Sequence, residues 1–385
     1  MLYDLTEEQK MLRETIGRLA KEHIAPGAEK RDEEGKFPWD MVDLLRENGL
    51  FGADFPEKYG GSQMGFLSIC LIGEELAKAC ASTSLIPLVH ELGSIPILLG
   101  ANEEQKQRWV PDLAAGEKLA AFGLTEPNAG SDVAGVKTKA VKDGDDYILS
   151  GTKNFISHGD VADLVCVAAK TDLSVPGHKG VSIFVVEKGT PGFSIGKKEN
   201  KMGFRASSTA ELVFEDVRVP ATALLAHEGS GFHILMKTLD FTRITIAAQA
   251  LGIAQGSVDF SLQYLKERTQ FGKPLFSFQG LQWMVADMVA QVEAARQMTY
   301  KAASVFEKIP KNMDKVPKEA IRCSAIAKLV AAETAMKVTT DAVQLLGGYG
   351  YVKEYPVERM MRDAKLTQIY EGTSQIQKVI IAGTL

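Results

Sequence analysis

The chain of 385 residues is 45% hydrophobic and 24% charged, a composition typical of a globular protein with room for two or three domains. A net charge of -5 without any block of Lys and Arg argues against a nucleic-acid-binding surface or a basic membrane patch. The four cysteines, Cys70, Cys80, Cys166 and Cys323, have no CxxC spacing, so we expect no metal site, no disulfide framework and a reducing compartment.

The N-terminus carries acidic residues where a signal peptide would carry basic ones, and no later apolar run looks long enough to span a bilayer. We therefore expect a cytoplasmic protein without a membrane span.

The first part of the chain has helical signals. Thr6 with Gln9, and Asn102 with Gln105, have the spacing of a capping box, which starts a helix. Apolar periodicity predicts helices from the first box to Pro26, over 39–47, over 66–80, and from the second box to about residue 116. Residues 1–118 are therefore predicted to form an all-helical domain.

Short β-rich segments then follow one another, separated by Gly, Asp, Lys and Pro. They cover 147–150, 164–169, 180–186, 192–195 and 210–214. This spacing predicts a compact antiparallel β domain or barrel over residues 119–229.

Helical periodicity returns over 232–267, 278–306 and 318–346. Long helices with apolar stripes are typical of a bundle, often across a subunit interface. The predicted fold class is thus α+β: an N-terminal helical domain, a middle antiparallel β domain, and a C-terminal four-helix-bundle-type domain over residues 230–385.

The segment from Arg362 to Gln377 carries the candidate catalytic base, Glu371. It follows an apolar pair, Ile369 and Tyr370, that we expect to be buried, and precedes a Gly-Thr turn in which Thr373 is a candidate N-cap. A carboxyl group held away from water has a raised pKa, which suits proton abstraction near neutral pH. The alternative is an acid that only complements the dipole of the following helix.

Two Gly-rich segments, Phe122 to Val133 and Gln344 to Tyr351, are candidate ligand-binding turns, because glycines let a ligand approach the backbone and exposed N–H groups bind phosphate. For Gly347 and Gly348 the alternative is a plain helix C-cap. Neither segment is a GxGxxG fingerprint or a Walker loop, so a Rossmann domain is not predicted.

In combination, four segments resemble the acyl-CoA dehydrogenase family along the whole chain, in that family's order and spacing: 122–133, the Arg-Thr-Gln-Phe-Gly-Lys-Pro run from Arg268, 344–351 and 369–377. The resemblance implies FAD as cofactor and, usually, a homotetramer. It also implies oxidation of a CoA thioester to its 2,3-enoyl form, with electrons passed to an electron-transferring flavoprotein.

By the same resemblance, Glu371 is the base that removes the proton α to the thioester, and its own backbone N–H binds the thioester oxygen together with a ribityl hydroxyl of FAD. Some branches of the family carry the base on the long helix instead, in an Asp-x-x-Arg segment. Here that segment holds Thr242, which cannot act as a carboxylate. Substrate contacts are implied for Ser131, Asp240, Arg243, Tyr370 and Gly372, although Asp240 is also a candidate ion-pair partner of Arg243.

The residues implied to contact FAD fall into three groups. Those near the flavin ring and phosphates are Leu124, Thr125, Ser131, Phe155 and Ser157. Phe155 stands where the family commonly has Trp; Phe keeps a stacking face but lacks the N–H donor of Trp. The alternative is that Phe155 and Ser157 lie in an ordinary β strand without a role in binding. Those implied to reach the FAD of a neighbouring subunit are Arg268, Gln270, Phe271, Gln344, Gly347 and Gly348. Thr373 and Gln375 match contacts from the last helix.

The resemblance implies that a helix over about 83–99 lines the acyl tail. A carboxylate at Glu91 facing that pocket would take a proton further along the acyl group or bind a polar substituent, and some relatives handle alicyclic CoA esters with an acid in this region. On a helical wheel interrupted by Pro87, both His90 and Glu91 lie off the centre of the apolar stripe. Their role is left open, as is acyl chain length.

Two other readings remain. A flavin oxidase of the same fold would pass electrons to oxygen, but acyl-CoA oxidases commonly have an extra C-terminal domain, for which we expect no room after Leu385, and smaller oxidases usually lack the Glu of this motif. A non-enzymatic scaffold would keep only the architecture and bind no flavin.

Overall fold

The computed structural model describes residues 5–310, 313 and 315–385. Six helices come first, and the two predicted capping boxes, at Thr6 and Asn102, are both formed. The helices are α1 (Glu7–Leu19), α2 (Ala28–Glu34), α3 (Trp39–Glu47), α4 (Phe66–Ala79), α5 (Ala81–Gly100) and α6 (Glu103–Ala114).

Helix α5 differs from its prediction in two respects. It runs without interruption through Pro87 and Pro96, and it is buried on nearly all sides, so both His90 and Glu91 are buried. The helical wheel could not decide the environment of His90 and Glu91, because it describes one apolar face, whereas α5 packs against α4, α7 and the sheet. Helix α5 is also long and apolar enough to cross a membrane by length and composition, so the expectation that no apolar run reaches this length was wrong. Since most of α5 is buried inside the protein, core packing accounts for its apolar character.

A seven-stranded sheet follows. Six strands lie in the order β1-β4-β2-β3-β7-β6, and β5, outside this order, pairs with β4. Its strands are β1 (Ala120–Gly123), β2 (Lys139–Asp143), β3 (Asp146–Ser157), β4 (Leu164–Lys170), β5 (Val181–Glu187), β6 (Phe193–Lys198) and β7 (Thr209–Pro220). The five predicted segments lie in β3 to β7, whereas β1 and β2 were not predicted.

The sheet is mixed, which corrects the prediction of an antiparallel domain. Strand β1 pairs with β4 in parallel, with Ala120 opposite Leu164 and Gly123 opposite Val167, and β2 meets β4 in parallel at one position. The other pairs are antiparallel. Parallel pairing joins strands through a crossover rather than a hairpin, so the local spacing of the segments carried no sign of it.

The C-terminal part contains α7 (Gly231–Glu267), the short hairpin β8 (Thr269–Gln270) and β9 (Lys273–Pro274), α8 (Gln279–Glu307), α9 (Lys318–Leu346), α10 (Pro356–Thr367) and α11 (Ser374–Gly383). Helix α7 joins the N-terminal and C-terminal helices, since it packs against α4 and α5 as well as against α8, α9 and α10. Gly252 allows the close approach of α7 to α4: a Cβ there would lie 2.2 Å from the carbonyl oxygen of Glu74.

The predicted limits at residues 118 and 229 fall between elements, before β1 and before α7. They stay predictions.

Candidate active site

Glu371 lies in the loop between α10 and α11, in an uncommon backbone conformation. Its φ is +54° and that of Gly372 is +87°, so two consecutive residues are left-handed. The Gln377 side-chain amide closes the turn by donating to the carbonyl oxygens of Glu371 (3.1 Å) and Gly372 (3.0 Å). Thr373 caps α11 as predicted, accepting from the N–H of Ile376. A non-glycine residue held left-handed is a mark of functional sites.

The Glu371 side chain is directed to α7, where the Thr242 hydroxyl donates to its Oε2 at 2.7 Å. Burial raises the pKa of the Glu371 carboxyl, opposed by the Thr242 hydrogen bond and by the positive charges of Arg243 and Lys328. The predicted upward direction is thus confirmed. The cause differs from the expectation in one respect, since Ile369 is 51% exposed and only Tyr370 of the apolar pair packs against the core.

Arg243 and Asp240 form a buried ion pair one turn apart on α7, so the predicted partnership is confirmed. Burial raises the pKa of Asp240, and the Arg243 charge opposes this rise. The Nε atom of Arg243 is buried without a hydrogen-bond partner among the described residues. The guanidinium thus has a donor that Asp240 does not use, and its charge acts on the Glu371 carboxyl.

Tyr370 anchors the loop to the helical core. Its hydroxyl hydrogen-bonds to Oε1 of the fully buried Gln249 on α7, and Gln249 Nε2 donates to the Ser84 hydroxyl on α5 at 2.8 Å. The loop, α7 and α5 are thus joined by one chain of buried hydrogen bonds.

The predicted flavin-contact residues Leu124, Thr125 and Phe155 lie together at a bulge in β3. The pairing of β3 with β7 shifts register between Lys153 and Ile156, and Phe155 has a φ of +58°. The N–H of Asn154 donates to the carbonyl of Thr125 at 2.8 Å. The Phe155 ring is 61% exposed. The backbone at Phe155 is therefore that of a bulge rather than that of an ordinary strand, and the flavin contact stays a prediction.

A buried ion pair that the sequence analysis missed supports this bulge. Lys153, with no exposed surface, donates from Nζ to Glu126 at 2.8 Å and to the carbonyl of Leu124 at 3.1 Å. Glu126 also accepts from the N–H groups of Lys137 and Thr138. Burial lowers the pKa of Lys153 to about 8, against the attraction of Glu126. The pair fixes the Gly-rich loop against β3.

The loop between β6 and β7 connects the bulge region to the Glu371 loop. The N–H of His158, next to Ser157 at the end of β3, donates to the Ser208 carbonyl at 3.0 Å. In the same loop, Phe204 lies against the Tyr370 ring with centroids 6.2 Å apart, and its N–H donates to the buried Asp363 of α10. The bulge region, with the predicted flavin contacts, and the Glu371 loop, with the predicted base, therefore both contact the loop between β6 and β7.

The remaining predicted contacts form a separate, exposed surface. The Arg268 guanidinium lies 5.3 Å from the centre of the Tyr349 ring, which brings the hairpin and the glycines after α9 together. Phe271, at the hairpin tip, is left-handed and 92% exposed. Gly347 ends α9 with a φ of +60°, so the C-cap alternative is confirmed as its backbone role. Among the described residues, no hydrogen bond or ring contact joins this surface to Glu371 or Phe155. Gln270, Gln344 and Gly348 are exposed on the same segments, whereas Ser131, in the Gly-rich loop after β1, and Gln375, on α11, are exposed on other segments.

Glu91 lines an otherwise largely apolar cavity between α5, α7 and the loop before α4. The cavity walls include Asp54, Phe55, Phe66, Ile95 and Phe241. His90 does not line this cavity; it accepts from the N–H of Ala120 at 3.3 Å, and burial lowers its pKa to about 3.

The residues at the bulge fit a flavin. Phe155 offers an exposed aromatic ring, and the adjoining segments carry the hydroxyl residues Thr125 and Ser157; these are the stacking surface and the polar groups that a ring with a polar edge requires.

Lys328 and Gln249 were also missed, although the sequence contains a signal for them. Both are polar residues within apolar helical stripes; Lys328 interrupts a row of buried small residues that includes Ser324, Ala331 and Ala335. Polar groups at such positions need partners in the fold.

Comparison with known proteins agrees with this architecture. Models of the acyl-CoA dehydrogenase N-terminal, middle and C-terminal domains match residues 6–117, 121–217 and 229–385. A short-chain-specific acyl-CoA dehydrogenase of Clostridium acetobutylicum is 49% identical over 100% of both chains. A cyclohex-1-ene-1-carbonyl-CoA dehydrogenase of Geobacter metallireducens is 48% identical over 99% of this chain and 98% of its own.

A chain in a solved structure described as the electron transferring flavoprotein of Acidaminococcus fermentans superposes with a TM-score of 0.94. It is 46% identical, and the match covers 99% of this chain and 98% of that one. With three domain models in order and full-length relatives near 50% identity, the chain belongs to the acyl-CoA dehydrogenase family.

Proposed function

We propose that this chain catalyses FAD-dependent α,β-dehydrogenation of an acyl-CoA thioester to the 2,3-enoyl-CoA, with Glu371 as the base that removes the α proton. The observation that carries the proposal is the Glu371 carboxyl itself: it is held by Thr242 with a pKa raised by burial, which makes it a better proton acceptor near neutral pH. A carboxylate that capped α11 would accept from the N–H groups at the start of that helix, whereas the Glu371 carboxyl accepts from Thr242 on α7.

The chain's other site residues would bind the CoA thioester and the flavin and orient them relative to Glu371. The left-handed turn at Glu371 and Gly372 would present backbone N–H groups to the thioester oxygen, and Arg243 would contact the CoA ester. The bulge at Phe155, with Leu124, Thr125 and Ser157, would hold the flavin, and Ser131 would lie near its phosphates. When bound, the flavin supplies the acceptor for the β hydride.

The test is an anaerobic titration of the protein's flavin absorbance with CoA thioesters: straight-chain C4 to C8, branched and cyclohexane-type. We expect one class to bleach the absorbance. A yellow protein that no thioester of the panel bleaches would contradict the assignment, and a protein that cannot be reconstituted with flavin would favour the scaffold alternative. Reoxidation by oxygen during turnover, without need of a protein acceptor, would favour the oxidase.

For the substrate, we propose a short or alicyclic acyl group with Glu91 facing it. Glu91 lines an apolar cavity together with a second carboxylate, Asp54, which a purely aliphatic tail does not require. The two curated relatives described above act on short-chain and alicyclic esters by their names. Glu91→Gln should lower turnover selectively for the preferred thioester, with exposed Glu104→Gln as the control. Unchanged turnover of every thioester in the panel would remove Glu91 from the substrate site.

For partners, we propose an electron-transferring flavoprotein as acceptor and a cytoplasmic homotetramer in which the surface around Arg268 and Gly347 reaches a neighbouring subunit's FAD. The support for the subunit contact is that Arg268 and Gly347 are exposed, and that no hydrogen bond or ring contact among the described residues joins them to Glu371. Arg268→Ala should therefore weaken flavin retention and tetramer formation together, as measured by absorbance after dialysis and by sedimentation. Full flavin occupancy of the variant would contradict this placement.

A further inference from the structure

Lys328 is a buried ammonium group placed directly beneath the Glu371 loop. It lies on α9 without exposed surface, and its Nζ donates to the carbonyl oxygen of Gly372 at 2.7 Å. A buried lysine is costly for a fold, because its charged form loses hydration. Neither the sequence analysis nor the proposed chemistry uses this residue.

The charges around Lys328 come from three elements. Glu371, in the loop, and Glu333, on α9, attract its ammonium, whereas Arg243, on α7, repels it; Arg243 is itself paired with Asp240. Burial is the largest influence and lowers the pKa of Lys328 to about 8, so the group is mostly charged at neutral pH. The positive charges of Lys328 and Arg243 both act on the Glu371 carboxyl from the protein interior.

The loop that Lys328 contacts is under backbone strain. A left-handed conformation at a non-glycine residue such as Glu371 is energetically unfavourable and persists only where the surroundings hold it. Helix α9 contacts the loop at three points. Besides the Lys328 bond to Gly372, Glu333 accepts from the Ser374 hydroxyl at 2.6 Å and from the Gln368 amide at 2.9 Å. Of the two α9 residues that make these contacts, Lys328 is the buried one, and its partner Gly372 is the neighbour of Glu371 in the chain.

We propose that Lys328 is a positioning residue: by holding the Gly372 carbonyl, it keeps Glu371 left-handed against Thr242, and its buried charge keeps the carboxylate ionised enough to accept a proton. The inference rests on the proposed role of Glu371 as base. Lys328 does not transfer a proton in this scheme. It acts through the loop and through the electric field at the carboxylate.

Three substitutions separate the charge from the contact. Lys328→Met removes both, Lys328→Gln keeps a hydrogen-bond donor without the charge, and Lys328→Arg keeps the charge. Lys337→Met is the matched control, because Lys337 is an exposed lysine on the same helix, paired with Asp341.

The first measurement is independent of turnover. The infrared spectrum of each protein is recorded as a function of pH, and the spectrum of the same protein with Glu371→Gln is subtracted. The remaining carboxyl band reports the titration of Glu371. In Lys328→Met and Lys328→Gln we expect the Glu371 pKa to rise above its wild-type value, whereas Lys328→Arg and Lys337→Met should leave it near wild type. If the Met variant does not fold, the Gln variant still decides the charge effect.

The second measurement is the pH profile of flavin bleaching by the best thioester. In the Lys328→Met and Lys328→Gln variants the acid limb should move to higher pH, and the rate on that limb should fall by up to about tenfold for each unit by which the Glu371 pKa rises, because the ionised fraction below the pKa changes about tenfold per unit. A purely structural role would lower the rate without moving the limb. Wild-type carboxyl titration in both neutral variants would overturn the inference. If the titration shifts but no thioester bleaches the wild-type flavin, the proposed function fails while the link between Lys328 and Glu371 stands.

Discussion

Glu371 illustrates how one residue can receive opposed influences from its surroundings. Burial raises the pKa of its carboxyl, and a hydroxyl and two cations limit that rise. A base needs this compromise, since a carboxyl with too high a pKa would remain protonated and one with too low a pKa would be a weak acceptor. The left-handed backbone of Glu371 and the Thr242 bond fix where the carboxyl lies.

We predict that Glu371→Gln retains flavin and CoA-thioester binding but lowers turnover by about a hundred to ten thousand fold, the usual cost of removing a positioned acid–base group. The amide can still accept from Thr242 but cannot take a proton. Stopped-flow flavin reduction measures the loss, and exposed Glu354→Gln is the control. Wild-type reduction by the Gln variant would place the base at another residue.

At the scale of elements, the start of helix α4 is capped by a distant segment of the chain, whereas α1, α6 and α11 carry caps of their own. Helix α4 has Gly65 as its N-cap, which offers no side chain. The carboxylate of Glu307, the last residue of α8, replaces it by accepting from the N–H groups of Phe66 (2.5 Å) and Leu67 (3.3 Å). Its negative charge also complements the N-terminal end of α4. The bundle thus supplies the cap that the local sequence lacks.

Removing this cap by Glu307→Ala should lower the free energy of unfolding by about 0.5–2 kcal/mol, the range found for lost N-caps. Denaturant titration measures the change. Lys308→Ala, the adjacent exposed position, is the control. If the two variants had the same free energy of unfolding, water would satisfy the first N–H groups of α4 equally well and Glu307 would not stabilise the helix.

For the whole molecule, buried titrating groups make opposite contributions to stability in acid. Burial lowers the pKa of His90 to about 3 and of His158 to about 4. Below pH 6.5 the unfolded chain therefore binds protons that the folded protein does not, and stability falls as pH falls. Burial raises the pKa of Asp363 to about 7 from 3.8. Its contribution is fully present below pH 3.8 and is lost as pH rises towards 7, so it offsets part of the histidine effect.

Asp363→Asn should expose this compensation. Because the amide does not titrate, the variant's stability should fall more steeply than that of the wild type as pH is lowered from 6.5 to 4.5, by up to about 1.4 kcal/mol per pH unit. Denaturant titrations at several pH values measure the two slopes, with Asp145→Asn, on an exposed turn, as the control. Parallel curves for Asp363→Asn and the wild type would mean that Asp363 is ionised in the folded protein at acid pH.

The sequence by itself determined the elements that local patterns encode. Both capping boxes, the Thr373 cap, α3 and α9 and the five strands β3 to β7 lie where periodicity and cap chemistry placed them, because those signals span only a few residues. The motif around Glu371 likewise identified the candidate base.

Only the tertiary structure decided which groups surround that base. Thr242 and Glu371 are 129 residues apart, and Lys328 and Gly372 are 44 apart. The parallel pairing of β1 with β4, the Lys153 and Glu126 pair and the burial of Glu91 also depend on contacts between distant segments. Such contacts form when separate apolar faces pack together, and no local pattern specifies which polar groups that packing brings into contact.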